Sequence, residues 1–183
     1  MKKELKTIIG NGVTLRPITF EDTPLIVKWR NNPEVMKNFI FQKPFTEEMH
    51  INWMNTKVLT GEVVQYIIVD NLTQQPIGSA YIRDIDHVNQ SAEYGIFIGE
   101  NVSRGRGLGT ETAKLFIDYM FEHFNLHRIF SRILDGNEAS LRSCEKAGFV
   151  KEGVFRDMVK IKGEYRDVVF IAQINKKEAT END

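Results

Sequence analysis

The sequence predicts an α+β domain whose sheet is mixed but mostly antiparallel, and three observations carry that prediction. Between residues 63 and 99 three apolar or alternating runs follow one another across short turns, the pattern of an antiparallel meander. A run of helical period, from about 109 to 124, comes directly after them. A strand, a short helix and one hairpin then use up the chain. At 183 residues, 42% hydrophobic and 27% charged, the chain has the size and balance of one globular domain with a sizeable core.

In order, VTLRPI (13–18) alternates after the turn residues Gly10, Asn11 and Gly12 and reads as a strand. Glu21 and Asp22 open a helix carrying Leu25, Ile26, Trp29 and Arg30, which Asn31-Asn32-Pro33 interrupts. Thr46-Glu47-Glu48 starts a second helix, with Met49, Trp53 and Met54 at helical spacing. VVQYIIVD (63–70), IGSAYIRDID (77–86) and SAEYGIFIG (91–99) form the meander, turning at 71–76 and 87–89. The next helix puts Ala113, Phe116, Ile117, Met120, Phe121 and Phe124 on one face. RIFSRILD (128–135) is a strand, and Asn137 caps a short helix that ends at Ala147-Gly148. Residues 154–172 make the last hairpin, turning at Lys162-Gly163. The result is one domain over 1–183, with its core at about 13–172, about four helices and a charged tail over 175–183.

Charge and composition narrow the function classes. A net charge of −1 argues against a general nucleic-acid binder, which needs a surplus of cations on one face. The single cysteine, Cys144, cannot form an intrachain disulfide, which fits a reducing compartment. No apolar run approaches the roughly 18 residues of a membrane span, and the lysines near the N-terminus lead into glycine rather than an apolar signal segment. A cytoplasmic protein without a membrane or nucleic-acid partner is expected.

The most informative stretch is RGRGLG (104–109), at the junction of a strand and a helix. Glycines let a ligand approach the backbone, and a helix N-terminus offers free N–H groups and a partial positive charge. Arg104 and Arg106 add two full charges. A phosphate or pyrophosphate is the expected ligand. A mononucleotide P-loop would require Gly-Lys-Ser/Thr, which is absent. Two things count against the dinucleotide fingerprint, whose third glycine falls on Thr110 and for whose doubly wound sheet too little chain remains, and a nicotinamide- or flavin-binding protein stays as a rival reading.

A third arrangement fits better. Arg104, Gly107 and Gly109 match Gln/Arg-x-x-Gly-x-Gly/Ala, and AEYGIFIGENVSRGRGLGTETAK (92–114), NEASLRSCEKAGF (137–149) and EGVFRDMVKIKGEYRDV (152–168) come in order along the chain. On these blocks the chain resembles the GNAT acyltransferase superfamily, in the branch with ribosomal-protein, spermidine and amino-sugar acetyltransferases. The resemblance implies a GNAT-like sheet with strands splayed at an acyl-CoA site, acetyl-CoA as co-substrate and no metal. It implies that Arg104, Gly105, Arg106, Gly107, Leu108, Gly109 and Thr110 hold the pyrophosphate, with Asn137 beside the coenzyme. Pantetheine lies along Tyr94 to Ile98, and an N–H near Phe97 or Ile98 polarises the acetyl oxygen.

Glu93 is the expected general base. It sits in an apolar strand, where burial should raise its pKa. Asp84, Asp86, Asp157 and Asp167 are alternatives. Many family members carry an acid tyrosine seven residues after the capping asparagine, and here that position is Cys144. The neighbouring hydroxyl of Ser140 is the candidate acid, as in the ribosomal-protein branch. The acceptor site is expected among Trp29, Arg30, Asn31, His50 and Trp53, pieces that resemble the amino-sugar acetyltransferases of the pseudaminic-acid pathway. The acceptor is a small-molecule amine or a peptide N-terminus, and a homodimer is compatible with the resemblance. The missing tyrosine keeps open a non-catalytic, regulatory acyl-CoA-binding module of the same fold.

Overall fold

A computed structural model of the chain describes residues 4–100 and 105–176; Arg104 and most of the charged tail lie outside them. Eight strands form one sheet in the order β1-β2-β3-β4-β5-β6-β8-β7. They are β1 (Ile8–Ile9), β2 (Val13–Pro17), β3 (Val64–Asp70), β4 (Gln75–Asp86), β5 (Ser91–Ile98), β6 (Arg128–Leu134), β7 (Val150–Ile161) and β8 (Glu164–Ile174). Every neighbouring pair is antiparallel except β5 and β6. The helices are α1 (Thr23–Asn31), α2 (Pro33–Met36), α3 (Glu47–Trp53), α4 (Leu108–Phe124) and α5 (Glu138–Ala147).

The predicted elements are present, with local differences that have physical causes. The first helix is preceded by a 3-10 turn, Phe20–Asp22, held by Thr19 and Asp22 in a capping box. Asn31-Asn32-Pro33 interrupts helical structure as expected: α1 ends at Asn31, Asn32 is extended, and Pro33 opens α2. It sits at the first position of α2, where its missing N–H costs nothing, and the Asn32 side chain caps that helix by accepting from the N–H of Glu34. Thr46 caps α3 as expected, and α3 continues into a π turn over Met54–Val58. The last hairpin starts at Val150 rather than 154.

The sheet is covered on both faces, which explains why β3 reads as an almost unbroken apolar run. Tyr66 and Ile68 face the core under α4, with Tyr94, Phe116, Ile117 and Met120. Ile67, one residue out of phase, joins Ile26, Trp29, Met54 and Phe97 in a second core under α1 to α3. The α4 stripe is buried as the period predicts, with Phe124 packed at its margin. Among the described residues no helix is long and apolar enough to cross a membrane.

The strands of the meander approach closely at Gly78, which pairs with Ile98. A Cβ there would lie 2.2 Å from the carbonyl oxygen of Phe97, a backbone atom that cannot swing away. Gly78→Ala should therefore destabilise the fold by about 2–3 kcal/mol, read as a lower urea midpoint at unchanged m-value. An unchanged midpoint would show that the β4–β5 seam is looser than described.

Candidate active site

β5 and β6 begin as a parallel pair, matching Ser91, Ala92 and Glu93 with Arg128, Ile129 and Phe130. The ladder then stops, although β5 runs on to Ile98 and β6 to Leu134. The two strands part at Glu93, leaving a gap in the sheet with backbone polar groups along its edge.

Glu93 is only 5% exposed and lies at the point of parting. Arg83 of β4 donates to it through Nε and Nη2 at 3.2 and 3.1 Å. Arg132 of β6 donates through Nε and Nη2 at 3.0 and 2.7 Å. Burial alone would raise the Glu93 pKa, but the hydrogen bonds and charges of Arg132 and Arg83 outweigh it and hold the carboxyl below its ordinary range. This corrects the expected direction of the shift. Both oxygens are occupied and the group is kept ionised, so its affinity for a proton is lowered rather than raised.

The loop ends at Gly107, in the left-handed region at φ 78°, and α4 starts with no side-chain cap. Gly105 is also left-handed at φ 79°, and a Cβ on either glycine would meet nothing within 4 Å. Around both left-handed glycines the backbone borders open space among the described residues, and no side chain caps the first turn of α4. Arg106 does not add a free charge there, which corrects the second expectation. Both of its Nη atoms pair with Asp70, a fully buried carboxylate at the end of β3. An unpaired carboxylate at that depth would be very costly, so Arg106 is spent on anchoring the loop. The Thr110 hydroxyl lies 3.2 Å from that of Ser143 on α5.

Asn137 caps α5 by accepting from the N–H of Ser140 at 3.3 Å. The half-buried Ser140 hydroxyl hydrogen-bonds the sulfur of Cys144, whose thiol burial pushes up to about 12. At 1% exposure and with that pKa, Cys144 is a core residue and not a nucleophile.

On the α1–α3 face a cleft of about 220 Å³ is lined by Arg30, Phe41, Phe45, His50, Trp53, Gln65, Tyr81, Arg83 and Phe97, with Ile26 at its base. It brings together three of the five predicted acceptor residues. Trp29 is not among them: it is fully buried, and its Nε1 donates to Glu100 at 2.7 Å. Asn31 is also occupied, its amide tied to the backbone of Phe45 in both directions. Trp53 is held at the cleft by a buried relay, donating to Gln65, which donates to Ser79. Of the alternative acids, Asp84 is exposed beside Arg83 at 3.7 Å, while Asp86 and Asp167 accept from nearby turn and strand N–H groups, Asp167 from that of Asp157.

Sequence reasoning missed Arg83, Arg132, Asp70 and Tyr81. Arg83 could have been found by counting across the β4–β5 hairpin, where it pairs directly with Glu93. Tyr81 could have been found through Gly95, whose hydrogen lies where only a residue without a side chain leaves room for the Tyr81 ring. Nothing local signals the other two. Among the described residues no group of three or more His, Cys, Asp or Glu is placed to hold a metal.

A mostly antiparallel sheet that parts beside an uncapped helix N-terminus is the architecture of an acyl-CoA-dependent acetyltransferase. The chain belongs to the GNAT acetyltransferases: the model of the acetyltransferase (GNAT) domain matches residues 13–150. It is 30% identical to the N-acetyltransferase p20 of Bacillus licheniformis over 179 residues, 96% of this chain and 99% of that protein. It is 28% identical to the spermidine N(1)-acetyltransferase of Escherichia coli K12 over 160 residues, 87% and 84% of the two chains. A crystal structure of Vibrio cholerae spermidine N-acetyltransferase with CoA and spermine shares the fold at a TM-score of 0.83 and 24% identity, covering 92% of this chain and 99% of that one. The protein is therefore an N-acetyltransferase of a family that uses acetyl-CoA.

Glu93→Gln should test the charge cluster. It leaves two arginines sharing a neutral amide, so we expect a loss of about 3 kcal/mol near neutral pH. The sign of the pH effect comes from the lowered pKa. The stabilisation is complete above the unfolded value of about 4.3 and is lost as pH falls through the folded value. Acidification below about pH 4 should thus narrow the gap between wild type and variant. A gap that stays constant with pH would contradict the ionised assignment.

Proposed function

We propose that this enzyme transfers the acetyl group of acetyl-CoA directly to a primary amine, with the coenzyme in the β5–β6 gap and the amine entering through the α1–α3 cleft. The observation that carries this reading is the parting of β5 and β6 beyond Glu93, next to the open N-terminus of α4. The pantetheine arm would lie against Tyr94–Phe97 as an added strand. The pyrophosphate would rest on the first-turn N–H groups of α4 and the left-handed backbone at Gly105 and Gly107. A backbone N–H on this edge of β5, in the region of Phe97, would polarise the acetyl carbonyl.

In the reaction the amine nitrogen bonds to the carbonyl carbon, the oxygen takes the negative charge, and the carbon–sulfur bond then breaks. The amine's proton leaves to water in the cleft, because Glu93 is held ionised by two arginines and has little affinity for it. The role of Glu93 is to fix Arg83 and Arg132 at the parting, where they bias the site toward developing negative charge. Ser140, in the first turn of α5, would turn its hydroxyl from the weakly accepting Cys144 sulfur to the departing thiolate.

Acetyl-CoA should raise the melting temperature, by the equivalent of about 2.7 kcal/mol at a hundred times its dissociation constant. Gly109 separates binding from folding. It lies in α4, and a Cβ there meets only Ser143 Oγ, at an ordinary 3.4 Å. Gly109→Ala should hold or raise apo stability, by about 0.5 kcal/mol, while calorimetry shows weaker acetyl-CoA binding. No stabilisation of wild type at millimolar acetyl-CoA would sink the reading.

The thiolate assignment has its own test. Ser140→Ala should lower kcat tenfold to a hundredfold, the scale of one hydrogen bond to a charged group, about 1.5–3 kcal/mol. Cys144→Ala should lower stability and leave kcat close to normal. A silent Ser140→Ala paired with an inactive, folded Cys144→Ala would reverse the assignment.

A further inference from the structure

The amine cleft contains a charge that the chain does not balance. Arg30 lies in the last turn of α1, and its guanidinium carbon sits 4.5 Å over the ring of Phe39 and 4.6 Å over that of Phe45. Aromatic faces attract a cation but supply no strong hydrogen-bond acceptor. The Nε of Arg30 is buried and has no hydrogen-bond partner among the described residues. Burial disfavours its charge, Arg83 repels it, and no carboxylate forms an ion pair with it among the described residues. Other arginines of the fold are treated differently: Arg16 holds Asp22, Arg106 holds Asp70, Arg128 holds Glu152, and Arg83 and Arg132 share Glu93.

His50 lines the same cleft. Its Nδ1 meets the Thr23 hydroxyl at 2.9 Å, and its Nε2 is buried without a partner among the described residues. Arg30 Nε and His50 Nε2 are thus both unsatisfied among the described residues, on two residues that line one small, aromatic-walled space. A buried donor left unpaired is expensive, so such a pair is expected where a ligand completes it.

We propose that the acceptor is a small amine that also carries an anionic group, a carboxylate or a phosphate, and that Arg30 and His50 receive this group while the amine reaches the parted strands. The proposal rests on reading this cleft as the amine entrance. It sets the chain apart from a polyamine acetyltransferase. A polyamine would bring several positive charges beside Arg30 and Arg83, where the buried carboxylate of Glu93 is already shared by two arginines. Asp84 and Glu62, in the neighbouring cavity that shares Trp53 and Arg83, are 68% and 56% exposed at their side chains and are paired with Arg83 and Lys57. An amine with its own anion arrives close to neutral and supplies the missing partner. The cleft's volume of about 220 Å³ and the walls of Phe41, Phe45, Trp53 and Phe97 suit a compact, partly apolar body.

The test tracks the Nε–H resonance of Arg30 in arginine-labelled protein saturated with CoA, assigned by its loss in Arg30→Met. Titration with inorganic phosphate and, separately, with acetate should move this resonance saturably. A response to phosphate marks a phosphate ester, and a response to acetate marks a carboxylate. Spermidine should leave it in place. Apo Arg30→Met should melt at or above the wild-type temperature, because it removes an unbalanced cation from an apolar wall. In turnover, phosphoethanolamine against ethanolamine, or phenylalanine against phenethylamine, should favour the anionic member by at least tenfold, and Arg30→Met should abolish that preference through KM rather than kcat. An Arg30 resonance unmoved by both anions at tens of millimolar would overturn the proposal, as would spermidine turnover that Arg30→Met leaves unchanged. The two readings fail separately. If CoA shifts the amides of Gly105, Gly107 and Gly109 while Arg30 ignores both anions, only the anionic acceptor falls. If CoA shifts none of these glycines, the acetyltransferase site itself falls.

Discussion

One carboxylate gripped by two arginines governs how this sheet can open. Glu93 belongs to β5, Arg83 to the strand on one side of it and Arg132 to the strand on the other. The three charges bridge β4, β5 and β6 at the last point where β5 and β6 are hydrogen-bonded. A parallel pair that simply ended there would leave its remaining backbone groups to water or to slippage. The charge cluster fixes the separation instead, so that the gap is a feature of the folded chain before any ligand arrives. The same cluster places two guanidinium groups at the mouth of the gap, donors that suit a reaction that produces an oxyanion and then a thiolate.

The two ends of the site handle charge in opposite ways. In the glycine loop the arginine is neutralised by buried Asp70, and the positive potential comes from the oriented backbone N–H groups of α4. Such groups bind phosphate without long, mobile side chains, and the Arg106–Asp70 pair serves to hold the loop against the end of β3. In the α1–α3 cleft the reverse holds. Arg30 makes no ion pair among the described residues and lies over two aromatic rings. That is a poor arrangement for stability and a good one for recognition.

Much of the fold was legible because its signals are local. The meander shows in alternation and turn residues, α4 in its apolar period, and α5 in the asparagine that caps it and the glycine that ends it. The GNAT resemblance likewise rests on contiguous blocks. What was not legible depends on distant partners. The burial of Glu93 could be foreseen from its apolar neighbours, but the direction of its pKa depends on Arg83 and Arg132, the latter 39 residues away in sequence. Arg106 looked like a free cation because Asp70 is 36 residues away. Trp29 and Asn31 flank Arg30 in sequence but serve packing and loop anchoring, since neighbouring helical positions point in different directions.

The central claim, that the coenzyme completes the sheet in the β5–β6 gap, is tested most directly by amide hydrogen exchange on β5. CoA should slow exchange at alternate amides of Tyr94–Phe97, those turned away from β4, and at the first turn of α4. Slowing confined to other elements, with those amides exchanging as in the free protein, would contradict the account.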